Sequence, residues 1–137
     1  MFKKQQLFLL LILGVTDAYL ISHPNLIGKL GVFVYKYEMI KNFPIALVTV
    51  FVSMAICLLI AAFLERQMGK KWAKYGLITG LIISVLVLIQ VYFKFSSGSY
   101  AHTGKGFKYG MHLLPFLFIY IFANGLWNWI NANKNKL

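Results

Sequence analysis

Residues 43–64 read FPIALVTVFVSMAICLLIAAFL, and no charge interrupts them before Glu65 and Arg66. The hydrocarbon core of a bilayer, ~30 Å thick, takes about 20 residues of α-helix to cross. An uncharged run of this length therefore predicts a transmembrane helix. Asn42 precedes it as a candidate N-cap, and Pro44 falls in the first turn, where a missing N–H costs nothing.

Three further apolar runs lie around it. Leu7 to Ile21 follows Lys3 and Lys4, Tyr75 to Phe93 lies between Lys74 and Lys94, and His112 to Ile130 ends in Trp127, Trp129 and a Lys/Asn tail. The expected fold is all-α: a polytopic membrane protein whose single domain, 1–137, has transmembrane helices near 5–22, 43–64, 74–94 and 112–131. The first run also has the layout of a secretory signal, with Thr16-Asp17-Ala18 in the place of a cleavage site. Carried from Met1 onward, it is read as a retained helix.

Composition agrees with this. Of 137 residues, 60% are hydrophobic and 12% charged, whereas a soluble domain has roughly a quarter of its residues charged. The formal charge is +11, from 14 cationic residues against 3 acids. On a soluble protein such a balance suggests nucleic acid. Here the cations flank apolar runs, where they anchor helix ends and meet anionic lipid headgroups. Lipid headgroups are therefore expected partners and nucleic acid is not. All the cations but Arg66 are lysine, which argues against bidentate phosphate recognition. The single cysteine, Cys57, lies within an apolar run and has no partner for a disulfide or a metal site.

Cation placement sets the expected orientation. With the N-terminus inside, Lys3, Lys4, Arg66, Lys70, Lys71, Lys74, Lys134 and Lys136 lie inside, and Lys29, Lys36, Lys41, Lys94, Lys105 and Lys108 outside. This excess places both termini in the cytoplasm, with the protein in a bacterial inner membrane. Between the first two helices, Leu26, Leu30, Phe33, Val34, Tyr37 and Ile40 recur at helical spacing. Residues 24–41 are therefore expected to form an amphipathic helix on the outer surface.

Small residues recur four apart on three helices: Gly14, Ala18 and Ser22; Ser53, Cys57 and Ala61; Gly76, Gly80 and Ser84. Lipid gives helices no hydrophobic reason to associate, so close approach through small residues is expected to hold the bundle, or to hold partners against it.

Candidate chemistry is sparse. Asp17 is the one carboxyl inside an apolar run. Gln90, Lys94 and His112 fall at comparable depth on the third and fourth helices, so these four are the candidate intramembrane polar cluster. One reading makes Asp17 a structural staple, bonded to Thr16, Gln90, a tyrosine or a neighbouring subunit. The other makes it a proton or cation site. His23, His102 and His112 all fall on the outer side and are read as interfacial, with neither haem nor metal expected. The glycine-rich stretch from Gly98 to Gly106 lacks the spacing and the preceding strand of a phosphate-binding loop, and is read as a basic connector. With so few acids, and with no paired carboxylates, HExxH or CxxC, no enzyme and no cofactor are expected. The expected function is an accessory or structural subunit of a larger membrane complex, respiratory, secretory or motile, with other membrane subunits as partners. The alternative is a small ion- or proton-coupled transporter or channel centred on Asp17.

Overall fold

The structure, a computed structural model, describes residues 3–23, 42–67, 70–96 and 104–135. They form four helices: α1 (Lys4–Ser22), α2 (Phe43–Arg66), α3 (Lys71–Ser96) and α4 (Lys105–Lys134). Each is long and apolar enough to cross a membrane. The expected interfacial helix over 24–41 lies outside the described residues, as do Gly98 and the residues after it up to 103.

Apolar residues cover the outside as well as the inside. Val48, Val52, Ile56 and Leu59 on α2, and Ile82, Ile83, Leu86 and Phe93 on α3, are all exposed. A helix apolar on every side belongs in lipid, or in a core larger than four helices can make. The inner faces meet around Leu10, Val50, Met54, Leu77, Leu117 and Ile121.

The helices run up, down, up and down, and α4 touches all three others, with α1 and α3 on opposite sides of the α2–α4 pair. Near one end Gln6 of α1 bonds to Asn124 of α4, while near the other Ile21 lies on Gly110, so α1 and α4 are antiparallel. On the opposite flank Lys74 lies over Trp129 and Phe95 packs on Phe107, which makes α3 and α4 antiparallel too.

Two expectations change at helix ends. Asn42 takes the extended N-cap backbone with Pro44 in the first turn, but its side chain makes no capping bond. The fourth helix begins at Lys105, seven residues before the expected start at His112. Gly104, at φ 90°, turns the chain into it, a conformation that favours glycine. Burial of Phe107 against Phe95 and of Gly110 against α1 then gives this glycine- and lysine-bearing turn a reason to be helical.

The small residues act as notches for large side chains. A Cβ on Gly80 would come within 2.5 Å of the Phe122 ring, one on Gly76 within 2.9 Å of Leu64, and one on Gly14 within 3.0 Å of the Met54 sulfur. Gly110 and Gly125 of α4 receive Leu20/Ile21 and Leu77 in the same way. Ala18 and Ala61 are fully buried and Ser84 nearly so, whereas Ser53, Cys57 and Ser22 are only half-buried. The expected close approach is therefore mostly side chain into notch, not backbone against backbone.

Candidate functional site

Asp17 is turned into the chain's own interior and is 0% exposed. Its helix packs on α2 and α4, and the contacts on either side bracket it. One turn earlier Gly14 lies under Met54 and Phe51 of α2; one turn later Ile21 lies on Gly110 of α4. Neither carboxyl oxygen has a hydrogen-bond partner among the described residues. Two of the partners expected for a staple are engaged or placed elsewhere. Thr16 donates to the Ile12 carbonyl at 2.9 Å, and Gln90 is exposed on α3, across the bundle from α1. An aspartate within a membrane helix is costly, up to ~2.5–3.5 kcal/mol at the helix centre on insertion scales. Something must offset that cost, either a proton or a partner group.

The other members of the expected cluster do not gather around Asp17. Lys94 is exposed, and His112 is half-buried with its ring against Tyr92 and Phe95 of α3. His112 Nδ1 shares a hydrogen bond with the Lys108 carbonyl, so part of its polarity is satisfied within α4. No hydrogen bond joins Asp17 to Gln90, Lys94 or His112. The hydroxyls are likewise turned back on their own helices: Thr49 to Ile45, Ser53 to Thr49 and Ser84 to Gly80.

A second buried carboxyl, which the sequence reading treated only as a helix end, lies toward the opposite end. Glu65 of α2 is 4% exposed and accepts a hydrogen bond from Asn128 Nδ2 of α4 at 3.2 Å. One turn away, Gln6 Nε2 of α1 donates to Asn124 Oδ1 at 3.1 Å. These two bonds tie α1 and α2 to α4 near its C-terminal end. The same stretch of α4 carries two buried donors, Asn124 Nδ2 and Trp129 Nε1, that have no partner among the described residues. A signal for Glu65 was present: the small-residue series Ser53, Cys57, Ala61 continues, four residues on, to Glu65.

The two acids are well separated. Gly110, beside Ile21, and Gly125, beside Glu65, lie on the same helix, about 22 Å apart at a rise of ~1.5 Å per residue. Asp17 is one turn nearer, which leaves about 17 Å along the axis. Leu10, Met54, Ala61, Leu117 and Ile121 fill that interval.

These features define an integral membrane protein with four candidate membrane-spanning helices among the described residues, one carboxyl tied by a hydrogen bond between helices and one buried without a bond among those residues. Set against protein-family models, curated proteins and solved structures, the chain matches none.

Proposed function

We propose that this protein is a small ion- or proton-coupled transporter or channel whose working group is Asp17. The observation that carries the reading is the complete burial of an Asp17 carboxyl without a hydrogen-bond partner among the described residues. A staple gains its stability from the bonds it makes, and a carboxyl that joins neighbouring subunits faces outward. Among the described residues Asp17 makes no such bond, and it is turned inward, which favours a group that takes up and gives back a charge.

In this reading the end bearing Lys3, Arg66, Lys70, Lys71, Lys74 and Lys134 faces the cytoplasm of a bacterial inner membrane, as the excess of cations there favours. Lys70 lies 6.0 Å from the Trp72 ring and Lys74 5.8 Å from the Trp129 ring. Paired ammonium and indole groups of this kind suit a headgroup layer rich in anionic lipid.

A second reading, an accessory subunit of a larger membrane complex, draws support from the other end of the bundle. The Glu65–Asn128 and Gln6–Asn124 bonds and the apolar layer above them favour a static scaffold. Purified protein alone in liposomes, under an imposed cation or proton gradient, separates the two. Flux supports the transporter; no flux, with stable co-purifying subunits, supports the scaffold.

A further inference from the structure

We propose that the occupant of the Asp17 site is a proton, and not a metal ion or an organic cation. The inference rests on the reading of Asp17 as the working group and names what that group takes. It follows from the room and the chemistry around the carboxyl.

Room is the first argument. One turn before Asp17, a Cβ on Gly14 would already press on Met54 at 3.0 Å and Phe51 at 3.4 Å. One turn after it, a Cβ on Gly110 would meet Ile21 and Leu20 at 2.9 Å and the Ile21 backbone nitrogen at 3.0 Å. At these two glycines, a turn to either side of Asp17, an added methyl group would force its neighbours to shift. A drug-sized cation needs a pocket of roughly 300 Å³ or more.

Ligand supply is the second. A dehydrated metal ion needs several oxygen ligands arranged around it. No group of three or more His, Cys, Asp or Glu that could hold a metal occurs among the described residues. The titratable and charged groups on the packed elements do not converge on Asp17. On α1 itself, Tyr19 and His23 stack on each other at the helix end. On α2 the apolar stretch up to Leu64 brings only Cys57. On α4, His112 Nδ1 is hydrogen-bonded to the backbone carbonyl of Lys108, and Tyr120 lies two turns beyond His112. None of them hydrogen-bonds to the Asp17 oxygens. A proton needs neither volume nor extra ligands. One Asp17 oxygen accepts H⁺ to become a neutral O–H, and later returns the same H⁺; no other bond changes. The nearer source is the His23 end of α1, about 9 Å away along the helix, against about 20 Å to Lys4.

The test uses the full chain in vesicles of mixed neutral and anionic phospholipid, with three probes in parallel: a trapped pH dye, sodium or potassium, and a fluorescent quaternary ammonium ion. The infrared spectrum of the same protein reports the stretch of a protonated carboxyl. Proton flux that sodium and potassium leave unchanged, with a protonated-carboxyl band that Asp17→Asn removes, is the expected result. Flux that requires sodium or potassium, or that carries the quaternary ion, overturns the proton while keeping Asp17 as the working group. Absence of all three fluxes overturns both. Should Asp17→Asn fail to fold, Asp17→Glu keeps the carboxyl and must shift the band; an unmoved band assigns it to another acid and contradicts the proposal.

Discussion

Asn128 on α4 donates its side-chain amide to the Glu65 carboxylate on α2 across 3.2 Å, in a part of the bundle where Glu65 is almost wholly shielded. The pair joins two helices that run in the same direction, and it lies about three turns of helix from the Asp17 carboxyl. One acid has an identified interhelical bond and the other has none among the described residues.

This bond is expected to contribute measurably to stability. Glu65→Gln keeps an oxygen acceptor for Asn128, whereas Glu65→Ala leaves the half-buried Asn128 amide without that acceptor. Losing the partner of a donor costs up to ~1–3 kcal/mol when the donor is fully buried, and less for one that is half-buried. Thermal unfolding in detergent should therefore rank wild type and Glu65→Gln above Glu65→Ala. Equal melting of the Gln and Ala variants would show that the bond contributes nothing.

The notch at Gly80 is expected to be intolerant of size. Phe122 lies so close that even a Cβ would meet its ring at 2.5 Å. Gly80→Leu should block folding or shift α3 away from α4, at a cost of ~1–3 kcal/mol or more, as overpacked interiors show. The double variant Gly80→Leu with Phe122→Ala should recover part of the loss, because the two positions share one space. Size-exclusion profiles and yield after extraction measure both. A harmless Gly80→Leu would mean that this face meets lipid.

Crossing of the membrane has its own check. Lys70 and Lys105 are exposed and sit at opposite ends of the bundle. In a Cys57→Ala background, cysteine at position 105 should react with an impermeant thiol reagent from outside the cell, and cysteine at position 70 only after the membrane is opened. Reaction of position 70 from outside would reverse the proposed orientation, and equal reaction of both would deny the span between them.

Much of the fold was legible because membrane spans have a length requirement that apolar runs either meet or fail. Residues 43–64 meet it without interruption, and the helix found there extends only to Arg66. The first turns of α4 were not legible. Lys105, Gly106, Lys108 and Gly110 lower the local hydropathy and read as loop, while the reason for the helix, Phe107 on Phe95 and Gly110 under Leu20, lies in other segments. The same holds for the polar residues. Asp17 stood out because an acid inside an apolar run is costly wherever it points. Gln90 and Lys94 lie at comparable depth but on α3, across from α1, and depth alone does not reveal direction around a helix. Glu65 sits next to Arg66 at a helix end, where a charged pair is ordinary, and only packing turns Glu65 inward while Arg66 stays exposed.

The account depends most on what Asp17 does, and Asp17→Asn measures it most directly. The substitution keeps the size of the side chain and one oxygen acceptor, and removes the group that can gain or lose a proton. Wild-type protein alone in liposomes should dissipate an imposed proton gradient, and Asp17→Asn, recovered folded and in equal amount, should dissipate it no faster than empty vesicles. Wild-type vesicles as tight as empty ones, or an Asp17→Asn protein as active as wild type, would contradict the claim that Asp17 is the working group.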